Sequence, residues 1–132
     1  MIDLSKIMFF EKGNPITDEE INEIENELNI ELPTVYSDLL HCINGFGTAQ
    51  GIKIFGTKEI IERNATLEVE EYAKGFVAIG DDSGDTVFIM LANQNATELL
   101  SVDCGSMDPK YASSISLDIK KWISEGCRSE WI

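Results

Sequence analysis

Residues 16–47 read ITDEEINEIENELNIELPTVYSDLLHCINGFG, and the spacing within them predicts two helices meeting at a corner. Thr17 stands three residues before Glu20, the capping-box arrangement in which each side chain serves the other's backbone N–H, and Ile16 and Ile21 have the spacing of a hydrophobic staple. Ile21, Ile24 and Leu28 recur at three and four residues and share one face, leaving Asp18, Glu19, Glu23, Glu25 and Glu27 to solvent. The first helix is therefore amphipathic and strongly acidic. Asn29 suits its C-cap, and Pro33 suits the first turn of a second helix, where a missing N–H costs nothing. Val35, Tyr36, Leu39, Leu40 and Ile43 give that helix a broad apolar face before Asn44-Gly45 stops it.

On the N-terminal side, Ile2, Leu4, Ile7 and Met8 predict a short helix starting after Asp3; the Phe9-Phe10 pair either completes it or runs extended into the Gly13-Asn14-Pro15 turn. On the C-terminal side, Gly45, Gly47 and Gly51 predict a flexible connection into a strand over residues 51–56. Thr57 then caps a brief helix through Ile60 and Ile61, and residues 62–75, polar with scattered Leu67, Val69 and Tyr72, read as a loop with a helical turn or two. FVAIG (76–80), DDSGD (81–85) and TVFIML (86–91) predict an antiparallel hairpin, because β-branched and aromatic residues flank a Gly/Asp/Ser turn. Asn93-Gln94-Asn95 turns the chain into a third strand, TELLSV (97–102), followed by a loop over 103–112. Ser113 or Ser114 caps a last helix with Ile115, Ile119, Trp122 and Ile123 on one face, and Gly126 ends it. There is no βαβ rhythm. The expected class is α+β: one domain over residues 1–132, with an antiparallel (mixed at most) sheet of about four or more strands packed by N-terminal and C-terminal helices.

A chain of 132 residues buries roughly two thirds of the surface it exposes when unfolded, enough for a core without staples. Cys42, Cys104 and Cys127 are odd in number and far apart, which reads as reduced thiols in a cytoplasmic setting. No apolar run is long enough to cross a bilayer, and the first residues lack the basic start and small-residue cleavage site of a secretory signal. Asn64-Ala65-Thr66 and Asn95-Ala96-Thr97 match the glycosylation pattern and, with no secretory route, are read as coincidental. Twenty-four acidic against ten basic side chains give a net charge of −14. That balance repels nucleic acid and anionic membranes and speeds encounter with a basic protein; it also serves solubility.

Three residue groups invite chemistry. Asp81, Asp82 and Asp85 resemble a cation loop in composition, but Ala92 stands where an EF-hand needs its bidentate Glu, so a structural turn is the reading preferred. His41 and Cys42 are adjacent on a helix and so do not face each other, which argues against a thiol–imidazole or zinc pair. Trp122 reads as a core anchor and Trp131 as a tail residue. No phosphate-cradling glycine loop, GxSxG or CxxC is present. The expectation is a protein that is not an enzyme and needs no cofactor or metal.

The run ELNIELPTVY (27–36) with the later Asn44-Gly45, the strand and acidic turn FVAIGDDSGD (76–85), and SSISL (113–117) leading into Lys121-Trp122-Ile123 resemble the SUKH superfamily, the domain shared by many bacterial toxin-immunity proteins and by fungal cell-wall assembly regulators. The resemblance covers roughly residues 16–126; the chain departs from it in having no aromatic directly before Asn44-Gly45. It implies an immunity protein that binds and neutralises a cognate toxin domain, such as a basic nuclease, by protein–protein contact. The alternative it implies is an intracellular regulatory scaffold binding host proteins or peptides. The residues expected to meet the partner are Asp81, Asp82, Asp85, Asp103 and Asp108 at the sheet loops, with Glu68, Glu70 and Glu71 in the polar connection.

Overall fold

A computed structural model describes residues 2–128, and Trp131 lies outside them. The helical corner forms as its spacing requires. Helix α1 (Asp18–Leu28) carries the full capping box: Thr17 Oγ1 accepts the Glu20 N–H at 3.3 Å, and the Thr17 N–H donates to Glu20 Oε1 at 3.4 Å. Asn29 ends it in the left-handed conformation at φ 53°, a position where asparagine replaces the usual glycine. Helix α2 (Thr34–Cys42) has Pro33 as its N-cap, one position earlier than expected. The Ile16 N–H donates to the Leu40 carbonyl at 3.1 Å, and His41 Nε2 meets Asp18 Oδ1 at 2.9 Å, so the two helices are tied at the start of one and the end of the other.

Seven strands follow one another across a single antiparallel sheet in chain order: β1 (Phe9–Lys12), β2 (Phe46–Thr48), β3 (Lys53–Ile54), β4 (Phe76–Asp81), β5 (Thr86–Leu91), β6 (Leu99–Asp103) and β7 (Ser113–Ser116). The corner α1–α2 is inserted between β1 and β2. Helices α3 (Thr57–Thr66) and α4 (Val69–Tyr72) lie between β3 and β4, and α5 (Ile119–Ser124) follows β7. Val87, Phe88, Ile89 and Met90 are all buried although successive residues point to opposite faces, so both faces of the central strands are covered. On one of them the Trp122 ring of α5 packs edge-on against Phe88, with centroids 5.6 Å apart. Trp122 is the core anchor expected of it. The pairs β1–β2 and β6–β7, at the two margins of the sheet, are each interrupted by a register shift.

The chain departs from its sequence reading in four places. The N-terminal helix is absent: Ser5-Lys6 makes a turn and the chain runs extended through Phe9, whose ring meets Phe46 edge-on at 5.6 Å. So short a segment has no turns left over after helix nucleation, whereas pairing with β2 satisfies its backbone at once. The glycine-rich connection contains β2, held between β1 and β3; its order comes from neighbours distant in sequence. Residues 62–75 are mostly helical, in α3 and α4. Ser113–Ser116 is a strand, and α5 begins only at Ile119, where Asp118 Oδ1 accepts the Lys120 N–H at 3.0 Å. Ile115 therefore belongs to β7, and its four-residue spacing from Ile119 carries no helical meaning.

Two asparagines join helices to sheet. Strand β3 ends at Ile54 opposite Gly80, which leaves Ala78 of β4 with no strand on that side. Asn64, buried on α3, fills the gap: its Oδ1 accepts the Ala78 N–H at 2.9 Å and its Nδ2 donates to the Ala78 carbonyl at 2.9 Å and to Ile60 O at 2.7 Å. Both amide hydrogens are occupied, so the sequon at Asn64 presents no nitrogen to a glycosylating enzyme. Asn44 caps α3 from a distance: its Oδ1 accepts the Thr57 N–H at 2.8 Å and its Nδ2 donates to Thr57 Oγ1 at 3.2 Å. Thr57, expected to be the cap, is the first residue of the helix it was to start. A Cβ on Gly13 or Gly56 would stand 2.1 or 2.6 Å from the Asn44 carbonyl oxygen, so this junction closes only because both residues are glycine.

Candidate protein-binding surface

Antiparallel pairing places the turn between β4 and β5, the turn between β2 and β3, and the loop between β6 and β7 at one end of the sheet. Asp81 ends β4 and Asp82 and Asp85 follow it in the first of these; Asp103, paired with Thr86, ends β6, and Asp108 lies in the last. Five of the eight expected partner-binding carboxylates thus share one end. Glu68, Glu70 and Glu71 do not join them. Glu68 is the N-cap of α4 and the other two lie in its first turn, and the helix leads into the start of β4. The six residues of β4 separate the two groups by roughly 20 Å.

The five aspartates are mostly committed to their own backbone. Asp81 Oδ1 accepts the Ser83 N–H at 2.9 Å; Asp82 Oδ1 accepts those of Gly84 at 2.9 Å and Thr86 at 3.2 Å. Asp103 Oδ1 holds the Gly105 N–H at 2.7 Å and Asp108 Oδ1 that of Lys110 at 2.9 Å. Each is an Asx turn, in which a short carboxylate bends the chain back on itself. The turns are fastened together as well, by Ser83 Oγ donating to Gly51 O at 2.6 Å and the Cys104 N–H donating to Asp85 O at 2.7 Å. Among the described residues no three His, Cys, Asp or Glu side chains converge to hold a metal ion.

Negative charge is sorted along the chain. From Gly13 to Ile52 there are eight carboxylates and no Lys or Arg, and from Gly75 to Pro109 six and none. The first stretch decorates the α1–α2 corner, and the second includes the aspartate turns. The basic residues lie between and around them. Two open clefts, of about 320 and 330 Å³, flank β2 and share Lys53; the first is lined also by Lys12, Asn44 and Glu59, and Lys53 Nζ meets Glu59 Oε2 there at 2.6 Å. His41 and Cys42 are exposed on α2, and His41 turns to Asp18. The groups whose protonation burial alters most are in the interior. The Tyr36 hydroxyl, which donates to Phe55 O, is raised by burial and then by the charge of Glu59, and the Cys127 thiol is pushed up to about 12 by burial.

Sequence reasoning passed over the exposed apolar residues: Met8, Tyr72, Leu91, Tyr111 and Leu117 all project from the surface. Leu91 terminates an apolar run that is otherwise buried, so pattern alone assigns it to the core, whereas Leu117 follows the half-exposed strand Ser113–Ser116. Their signal is positional, since each stands at the last residue of a strand or just beyond it.

The sequence profile of one family, the SMI1 / KNR4 family (SUKH-1), matches residues 15–125. The chain belongs to that family. The match runs from the hydrophobic staple at Ile16 to the last turn of α5, so the SUKH-1 assignment rests on the corner, the six strands β2 to β7 and the closing helix together. Among curated proteins the chain is similar to the uncharacterized protein YnaB of Bacillus subtilis (strain 168), at 35% identity over 71 residues. That alignment covers 54% of this chain and 47% of YnaB, so the SUKH-1 chain spans about half the length of this relative. No helix among the described residues is long and apolar enough to cross a membrane.

Proposed function

We propose that this SUKH-1 domain is an immunity-type binding module that neutralises a cognate toxin domain by protein–protein contact in the cytoplasm, without catalysing a reaction and without a cofactor. The observation that carries the reading is the sorting of charge. Two long stretches with fourteen carboxylates between them and no Lys or Arg are displayed largely on the α1–α2 corner and on the hydrogen-bonded turns at the end of the sheet. An excess of carboxylates of this kind attracts a basic protein and orients its approach. SUKH membership supports the same reading, since the superfamily resemblance includes toxin-immunity proteins. A nuclease site, built to hold phosphates, is a suitable target for such a surface.

Co-expression with the polypeptide encoded beside it tests this directly. Rescue of growth, together with a purified one-to-one complex, is the expected result. The association rate should fall on the order of tenfold from about 50 to about 500 mM salt. A neighbouring polypeptide that neither poisons the cell nor binds would sink the proposal. Recovery of several unrelated host proteins in its place would favour the regulatory-scaffold alternative.

A further inference from the structure

The two ends of the sheet are not equivalent as docking surfaces. At the aspartate end the exposed apolar side chains are Met8, beside β1, and Tyr111, beside β7. Six strand spacings, roughly 30 Å, lie between those margins, so each is a scattered surface residue of the kind every protein carries.

The opposite end is organised differently. Leu91 is the cross-strand neighbour of Phe76. The ladders Ile89↔Leu100 and Leu99↔Ser116, continued outward, bring Glu98 opposite Leu91 and Leu117 opposite Glu98. Two hydrogen bonds hold this alignment: Glu98 Oε2 accepts from Ser114 Oγ at 2.8 Å, and Thr97 Oγ1 donates to the Leu117 carbonyl at 2.9 Å. Residues directly opposite one another point to the same face. Phe76 and Leu91 are therefore one pair, and Glu98 and Leu117, just outside β6 and β7, continue its line, which puts Leu91 and Leu117 two strand spacings, about 10 Å, apart. Leu91 is 51% exposed and Leu117 76%. Tyr72, 54% exposed, ends α4 four residues before Phe76, and the Ala92 N–H donates to Gly75 O at 2.9 Å, joining that helix turn to the end of β5. Along the segments that make this end (68–76, 91–98 and 117–121) the charged residues are Glu68, Glu70, Glu71, Glu98 and Asp118 against Lys74, Lys120 and Lys121. Unlike Asp81, Asp82, Asp103 and Asp108, Glu68, Glu70 and Glu71 have no side-chain hydrogen bond within the described residues.

We propose that this end of the sheet, centred on Tyr72, Leu91 and Leu117, is the docking surface, and that its occupant is a folded protein presenting apolar anchors inside a ring of Lys and Arg. The inference rests on the immunity reading above and adds to it where the partner sits. Exposed apolar area rimmed by charge is the anatomy of an interface, with an aromatic and two leucines as the desolvated centre and the carboxylates as the orienting rim. The basic character of the occupant follows from charge complementarity, five carboxylates against three ammonium groups.

The experiment uses the full chain with the neighbour-encoded polypeptide, comparing wild type with Leu91→Ser/Leu117→Ser, Tyr72→Ala and, at the other end, Asp81→Asn/Asp85→Asn. Each variant is first checked by its melting temperature, which exposed substitutions should leave nearly unchanged. The expected result is dissociation accelerated at least tenfold by the leucine pair and by Tyr72→Ala, with little change for the aspartate pair. A complex whose affinity is unchanged by the leucine and tyrosine substitutions overturns this docking surface and leaves the immunity function standing. Failure of the wild-type chain to bind at all overturns both. A wild-type dimer that dissociates in the leucine variant overturns the choice of occupant, which would then be a second copy.

Discussion

The seam between α3 and β4 and the aspartate end of the sheet solve the same problem with side chains, in different surroundings. At the seam, the Asn64 amide completes the hydrogen bonds of Ala78 in a dry interior. At the turn, the Asp82 carboxylate completes those of Gly84 and Thr86 at the water's edge. A backbone N–H that loses its partner near solvent finds water, and one that loses it in the core finds nothing. Bonds of nearly equal length should therefore differ several-fold in what their loss does to stability.

The comparison fails if the ranking that follows is not observed. Asn64→Leu keeps the side chain's branched shape, adds the bulk of two methyl groups and strands both Ala78 groups; urea denaturation should show a loss of about 2–5 kcal/mol, or no folded protein at all. Tyr36→Phe removes the donor to the Phe55 carbonyl in the core and should cost about 1–3 kcal/mol by the same measurement. Asn44→Ala uncaps a half-buried helix start and belongs near 1 kcal/mol, with early amide exchange in the first turn of α3. Asp82→Ala and Asp103→Ala should each cost no more than about 0.5 kcal/mol. If Asp82→Ala proves as damaging as Asn64→Leu, burial is not what sets the scale.

Cys127 has the smallest effect at neutral pH and sharpens the contrast at high pH. Burial raises its thiol from the ordinary 9.0 to about 12, so the folded chain keeps a proton that the unfolded chain gives up. This contribution is whole below pH 9 and is lost as pH rises toward 12. Tyr36, raised from its ordinary 10.0, acts in the same direction. Denaturation midpoints measured across that window should decline less steeply in Cys127→Ala. In the native state a thiol reagent should modify Cys42 and Cys104, both exposed, and reach Cys127 only on unfolding.

Elements whose order is local were legible in the chain. The α1–α2 corner is specified by Thr17, Glu20, Ile16 and Asn29 within a few residues, and the β4–β5 hairpin by an acidic turn between two apolar runs. Elements whose order is borrowed were not. Strand β2 has only Phe46 and Thr48 to mark it and exists because β1 and β3 lie on either side. Strand β7 reads as a helix start, since Ser113 and Ser114 resemble caps until β6 is there to pair with them. The candidate surface divides in the same way. The aspartates were recognisable as turn formers, but grouping them with Glu68, Glu70 and Glu71 required knowing which ends of the strands meet. The roles of Asn44 and Asn64 are invisible without the fold, because each serves a residue thirteen or fourteen positions away.

The interrupted ladders at the two margins have a consequence for life at high concentration. Among the described residues the seven-stranded sheet does not close into a barrel and leaves two rims, each a template on which a neighbouring molecule can add a strand and start a fibre. Here the rim strands are four residues long and locally kinked, so an incoming strand meets a short, uneven ladder. Both rims are therefore poor templates for adding a strand.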